Sequence, residues 1–257
     1  MNQSGAAQKD EITEVLNPNG QSPVVVVCEH ASAFIPAEYR DLGLGPDVLK
    51  SHAAWDPGAR AVAVHLAERL DAPLVAARTS RLVYDCNRPP EAQGAMPARS
   101  EIYDIPGNAA LTEAQKADRV ARFYAPFHAR VAEVLAARPD PVLVTMHSFT
   151  PVFHGTPRTV EIGVLHDSDK RLADAMLDTA ARHTRMVVRR NDPYGPEDGV
   201  THTLLRHALP QNRRNVMIEV RNDLIADAAA QRAVAETLAG WLTEALACAD
   251  APSEESP

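Results

Sequence analysis

Cysteine is scarce in this chain of 257 residues: Cys28, Cys86 and Cys248 are the only three, and none falls in a C-x-x-C pair. Three scattered thiols cannot all pair, so a disulfide-stapled scaffold is excluded and a reducing, cytoplasmic setting is expected. Long hydrophobic runs are also missing. None approaches the roughly 18–20 residues that span a bilayer, and the opening MNQSGAAQKDEITEVLNPNGQS has no apolar core of a signal peptide. Neither a membrane span nor secretion is expected. Positive charge is in deficit, with 26 Lys and Arg against 34 Asp and Glu and a net charge of −8. Without a basic tract, a nucleic-acid partner is not expected. Also lacking are a G-x-S-x-G elbow, a phosphate-binding G-x-x-x-x-G-K-[ST] loop, a G-x-G-x-x-G turn after a strand and an H-E-x-x-H helix. These absences remove four common chemistries, among them the zincin arrangement.

What remains is a globular composition, 45% hydrophobic and 23% charged. Residues 1–21 are polar and read as an arm or tail, 22–249 as one domain, and 250–257 as a flexible C-terminus. Continuous apolar runs at 23–28, 73–77, 141–145, 160–165, 186–188 and 215–220 have the character of strands buried on both faces. Helical spacing occupies the intervals. Ala59–Leu70 puts Ala59, Val62, Ala63, Leu66 and Leu70 on one face. Thr112–Ala137 opens with a Thr112/Gln115 capping box, and Pro126 predicts a kink. Lys170–His183 and Ala226–Ala247 complete the set, the last with a core stripe of Val234, Leu238, Trp241 and Leu242. Such alternation predicts a three-layer α/β/α single domain with a mostly parallel mixed sheet.

Ligands of such sheets bind beyond the carboxyl ends of the strands, and those ends are polar here. The first carries Glu29-His30-Ala31-Ser32, another Met146-His147-Ser148, another His166-Asp167, and the last Glu219 with Arg221-Asn222. Two loops add His52–Gly58 and Ser80–Pro89. Imidazole and carboxylate together are the ligand types of catalytic zinc, three from the protein with a fourth position open. A nearby carboxylate can then move the proton. Cys28 as a nucleophile is disfavoured, because a side chain inside a β run points into the core.

Six segments carry a family likeness: CEHASAFIP, HAAWDPGA, SRLVYDCNR, MHSFTP, NDPYGPEDGVTHTL and IEVRNDLI. In this order they resemble the N-formylglutamate amidohydrolase family over roughly residues 22–245. The resemblance implies a metal-dependent hydrolase of zinc carboxypeptidase-like, phosphorylase/hydrolase-like fold. Its name activity cleaves N-formyl-L-glutamate to formate and glutamate late in histidine breakdown.

On that basis His30 and His147 are the first candidate ligands of one Zn2+. Related folds take the third from an H-x-x-E segment, but Ala33 stands three residues beyond His30, which leaves Asp56 and Glu29. Neighbours on a strand face opposite ways, so Asp56 is preferred; its other reading is an N-cap for the helix from Ala59. Glu219 resembles the late-strand glutamate of zinc carboxypeptidases and is the candidate general base, the other reading being a buried partner of Arg221, two residues on along the same face. Arg81, Asn87 and Arg88 are candidate binders of a substrate carboxylate, since a guanidinium holds one through two parallel hydrogen bonds. Arg221 and His202 are further candidates for contacting substrate. Tyr194, in a turn signal, is expected on a loop over the pocket. The partner expected is a small anionic substrate, with oligomeric state left open. A related hydrolase of another acyl amide or ester, and a catalytically silent anion-binding member, are the competing readings.

Overall fold

A computed structural model describes residues 12–249; the expected tail at 250–257 and residues 1–11 of the expected arm lie outside the described residues. Seven strands form the main sheet: β1 (Thr13–Leu16), β2 (Val24–Cys28), β3 (Leu74–Ala77), β4 (Val142–Phe149), β5 (Ile162–Leu165), β6 (Val188–Arg190) and β7 (Asn215–Arg221). Their spatial order is β1-β3-β2-β4-β7-β5-β6. The pairs β3–β2, β2–β4, β4–β7 and β5–β6 are parallel, whereas β1–β3 and β7–β5 are antiparallel. The sheet is therefore mixed and mostly parallel, and the fold is α/β.

Among the described residues, the longer α-helical segments that join them are α1 (Pro46–Lys50), α2 (Ala59–Leu70), α3 (Glu113–Arg119), α4 (Ala125–Ala136), α5 (Arg171–His183), α6 (His202–His207) and α7 (Ala228–Ala249). Strand residues alternate between two cores, as the pleat requires. Val24, Val26, Val142, Val144, Val216 and Ile218 pack with α2, α5 and α7. Val25, Val27, Leu143 and Met217 pack on the other face with Phe123, Phe127 and Val131. The same parity puts His147 on β4 and Glu219 on β7 on that second face, where they are direct register partners.

Three expectations change in detail. Residues 13–16 do not belong to a loose arm; they pair antiparallel with β3 as an edge strand, Thr13 opposite Ala77 through Leu16 opposite Leu74. The run at 186–188 enters the sheet only at Val188 and continues to Arg190. The long helix from the Thr112/Gln115 box, whose reciprocal bonds are both present, is interrupted by a π turn over Val120–Tyr124. There the Ala125 N–H reaches Val120 O, one residue farther than an α-helix allows. Pro126 accounts for it, having no N–H and crowding the carbonyl one turn back. Among the described residues, no helix is long and apolar enough to cross a membrane.

Candidate metal centre and active-site cleft

Four parallel strands, β2, β3, β4 and β7, bring their carboxyl ends to one edge, and a cleft of about 370 Å³ opens there. His30 stands in the turn just after β2, and His147 lies near the end of β4. Asp56 comes from the turn before α2. That turn is fixed on three sides: Asp56 N donates to His30 O (3.0 Å), Ser148 Oγ to Pro57 O (2.7 Å) and Ser80 Oγ to Ala54 O (2.7 Å). Gly58 closes it with φ +82°, and a Cβ there would meet Ile225 O at 2.6 Å, so the backbone needs glycine. No side chain caps α2. Asp56 is turned instead towards the two histidines.

The three side chains converge. Asp56 Oδ2 lies 3.2 Å from His30 Nδ1 and 2.9 Å from His147 Nδ1, and the two Nδ1 atoms are 3.2 Å apart. Bonds of about 2.0–2.1 Å to a tetrahedral zinc would set donors about 3.3 Å apart, so these three could hold a metal ion. Each outer nitrogen faces a carboxylate: His30 Nε2 is 2.7 Å from Asp85 Oδ1, and His147 Nε2 is 3.1 Å from Glu29 Oε2. Such partners orient a ligating imidazole and raise its basicity. Glu29 thus sits behind His147, on the side away from Asp56. Arg81 bridges the aspartates, with Nη1 3.3 Å from Asp56 Oδ1 and Nη2 3.0 Å from Asp85 Oδ2.

Charge points the same way. Glu29, Asp56 and Asp85 are each at most 3% exposed. Three buried negative charges less the one positive charge of Arg81 leave two, and a buried charge must be compensated. A divalent cation, or protons on both imidazoles, supplies it. Burial alone would raise the carboxyls of Asp56 and Asp85, but facing His30 and their other partners hold both well below the usual range. Burial opposes protonation of His147, yet Glu29 and Asp56 raise its pKa well above normal.

Glu219 is 4% exposed, lines the cleft, and its Oε2 has no hydrogen-bond partner. Burial, opposed by His147 and assisted by Asp56, raises its pKa to about 7. A structural carboxylate buried this deeply is normally satisfied; one that meets a ligand is left open. Across the sheet, Glu219 is in register with Gly163 of β5. A Cβ at Gly163 would stand 2.4 Å from Asp192 O, 2.7 Å from Leu165 Cδ1 and 3.3 Å from Glu219 Cβ. Gly163→Ala is therefore expected to destabilise the chain by about 1–3 kcal/mol through overpacking and to displace the 192–194 segment; a denaturant midpoint equal to the wild type would show that the segment yields freely.

The remaining predicted residues divide. Arg81, Asn87 and Arg88 line the cleft. Asn87, however, braces its wall: Nδ2 donates to Val200 O (2.5 Å) and Oδ1 accepts from Thr203 N (3.0 Å). Arg88 donates to Gly199 O. Tyr194 does reach the cleft. Arg221 does not. It leaves the sheet at the last position of β7, where Asp223 Oδ1 (2.8 Å) and Glu161 Oε1 (3.5 Å) hold it, so it neither meets the cleft nor pairs with Glu219. His202 is likewise outside the lining; as the first residue of α6 it is 2.9 Å from Tyr124 Oη and packs against His128. Two residues of the cleft lining, Glu101 and Phe153, carried no sequence signal, because the hairpins 99–104 and 152–157 that hold them are too short for periodicity.

The His202 cluster has its own pH signature. His128 Nε2 is 2.9 Å from Cys86 O, and its Nδ1 is 2.8 Å from His207 Nε2. Burial, with the positive charge of Arg206 nearby, lowers His207 to about 4, and burial with the neighbouring histidines puts His128 well below normal. Both are neutral in the fold, whereas the unfolded chain takes up protons below about 6.5. Their stabilising contribution is complete above that pH and is lost as pH falls towards 4, at up to about 1.4 kcal/mol per pH unit for each group. Denaturant titrations of metal-free protein should show a shallower acid slope in His207→Gln than in the wild type; identical slopes would refute it.

Fold and site together define an α/β protein with a His-Asp-His cluster that could hold a metal ion and a buried glutamate at the carboxyl ends of parallel strands. The N-formylglutamate amidohydrolase family model matches residues 22–226, and the chain belongs to that family. A solved structure of a gene product from Agrobacterium tumefaciens is similar at 57% identity, with a TM-score of 0.91 over 93% of this chain and 96% of that one. A solved N-formylglutamate amidohydrolase from Ralstonia eutropha JMP134 shares the fold at 18% identity, with a TM-score of 0.65 over 92% of this chain and 99% of that one. Among curated proteins none matches this chain.

Proposed function

We propose that the chain is a zinc-dependent amidohydrolase that removes the formyl group from an N-formyl acidic amino acid, N-formyl-L-glutamate being the type substrate. The observation that carries this reading is the triangle of Nδ1, Nδ1 and Oδ2 from His30, His147 and Asp56, beside a cleft-facing Glu219. Family membership supports the amide substrate. The three free cysteines fit a cytoplasmic setting.

His30, His147 and Asp56 would hold the ion, Asp85 and Glu29 would orient the two imidazoles, and Arg81 would hold the two aspartates in place. Bound zinc would supply Lewis acidity, which brings a water into play as a nucleophile near neutral pH. Glu219 manages the protons. Water adds to the formyl carbon and its proton passes to the Glu219 carboxylate. The C–N bond then breaks as Glu219 returns that proton to the amine nitrogen, releasing formate and the amino acid.

A strong chelator is expected to abolish hydrolysis of N-formyl-L-glutamate, and added zinc to restore it. Full activity in protein shown by elemental analysis to be metal-free would sink the metal-dependent reading. Turnover of other N-acyl amides but not of formyl derivatives would move the substrate class.

A further inference from the structure

Behind His30 stands the carboxylate of Asp85, and behind His147 that of Glu29, at 2.7 and 3.1 Å. A carboxylate orients a ring only as firmly as it is held itself. Both are held by one short stretch of chain, residues 200–203, which leads into α6. That helix packs against β4 and β7, the strands of His147 and Glu219. Its entry is tied down at three points. Thr201 Oγ1 donates to Asp167 Oδ2 (2.7 Å), Val200 O accepts from Asn87 Nδ2 (2.5 Å), and Thr203 N donates to Asn87 Oδ1 (3.0 Å).

The first arm runs through Asn87. Its backbone N–H donates to Asp85 Oδ1 (2.9 Å), the same oxygen that faces His30 Nε2. Arg88 N donates to Asp85 O (3.0 Å), which closes a turn of the kind aspartate favours. From below, His128 Nε2 meets Cys86 O at 2.9 Å. The Asn87 carboxamide ties this turn to α6, since its oxygen and its nitrogen are both bonded there. Hydrogen bonds therefore run without a break from α6 through Asn87 and Asp85 to His30.

The second arm runs through Thr203, which is fully buried. Glu29 meets His147 through Oε2, which leaves Oε1 over. Thr203 Oγ1 and Glu29 Oε1 are both buried, and among the described residues neither has another hydrogen-bond partner. Thr203 and His207 stand four residues apart, on one face of α6, and the Glu29 charge acts on His207 and on His202. Glu29 thus lies on the Thr203 side of the helix. Burial raises the Glu29 carboxyl, but His147 and the Thr203 hydroxyl bring it below its ordinary value. Buried polar groups are normally satisfied, and these two satisfy each other.

We propose that the first turn of α6 positions both candidate ligand imidazoles, Asn87 acting through Asp85 on His30 and Thr203 acting through Glu29 on His147. The proposal rests on the metal-centre reading above. It makes Asn87 and Thr203 positioning residues, and it takes Asn87 out of the set that binds the substrate carboxylate.

The test is zinc affinity of the full chain, measured by competition with a chelating dye, for single and double variants. Thr203→Val keeps the shape and deletes the hydroxyl. It should raise the zinc Kd about 10-fold, the low end of the scale for a group behind a ligand, and Thr203→Ser should restore it. Asn87→Ala should do the same on the other arm. Effects that pass through one group do not add. Thr203→Val should therefore cost nothing further in Glu29→Gln, nor Asn87→Ala in Asp85→Asn. With zinc saturating, KM for N-formyl-L-glutamate should stay near the wild-type value in both single variants. Wild-type zinc affinity in Thr203→Val, or the full loss again in the double variants, would overturn the proposal. So would a raised KM with intact zinc affinity in Asn87→Ala, which would make Asn87 a substrate contact. Should Asn87→Ala fail to fold, the threonine series decides. A wild type that binds no zinc refutes the metal reading instead. Positioning is then read by NMR from the ring N–H protons of His30 and His147 that face Asp85 and Glu29. Faster exchange with water for His147 in Thr203→Val upholds the clamp, and unchanged exchange overturns it.

Discussion

Asp56→Ala is expected to empty the metal centre, while Glu29→Gln leaves it filled. The two carboxylates occupy different places. Asp56 Oδ2 sits between the two Nδ1 atoms, at 3.2 and 2.9 Å. Glu29 meets His147 on its other nitrogen, at 3.1 Å. Removing Asp56 deletes one of three donors and an anionic charge, and two imidazoles alone make a poor zinc site. Glu29→Gln removes an orienting charge, for which a loss of about 10- to 100-fold in metal affinity is the usual scale. Zinc per chain after dialysis at saturating free zinc should therefore stay full in Glu29→Gln and fall to a small fraction in Asp56→Ala. The opposite pattern would make Glu29 the ligand. An N-cap effect does not confuse the result, because α2 takes no cap from the Asp56 side chain.

Much of this site is legible in the sequence because strand periodicity and strand ends are local properties. The apolar runs ending at Cys28 and enclosing His147 and Glu219 are long enough to read, and parity alone puts Val144 and Val216 on one face and His147 and Glu219 on the other. The turn Trp55-Asp56-Pro57-Gly58 announces itself through Pro and Gly. What the sequence hides is partnership over distance. Arg81 reads as a substrate arginine until Asp56 and Asp85 are seen to hold it. Arg221 shares strand parity with Glu219, but the strand ends there and Asp223 and Glu161 draw it away. The edge strand Thr13–Leu16 is four polar-flanked residues, and only its pairing with β3 shows that it belongs to the sheet. Nor does any local pattern announce that Arg158 packs against Phe149, Phe153 and Tyr194, which come from two separate segments.

Glu219→Gln is expected to lower kcat by about 10²- to 10⁴-fold, the range for a group that carries a proton in the transition state, with fold and metal retained. Glutamine has the same shape. At this position that matters, since even a Cβ added at Gly163 would stand only 3.3 Å from Glu219 Cβ. The amide can fill the space and accept a hydrogen bond, but it cannot take a proton from water and return it to the leaving nitrogen. Glu219 is not among the three converging donors, so zinc per chain should match the wild type. Nor does it pair with Arg221, whose partners are Asp223 and Glu161, so no ion pair is broken and the denaturant midpoint should not fall. A carboxylate that merely filled the β7 face would give the reverse result. In that case kcat on N-formyl-L-glutamate would stay near normal, and relief of an unsatisfied buried Oε2 would show as higher stability. A normal kcat in a folded, zinc-loaded Glu219→Gln protein would remove Glu219 from the chemistry and leave the proton route to another group lining the cleft.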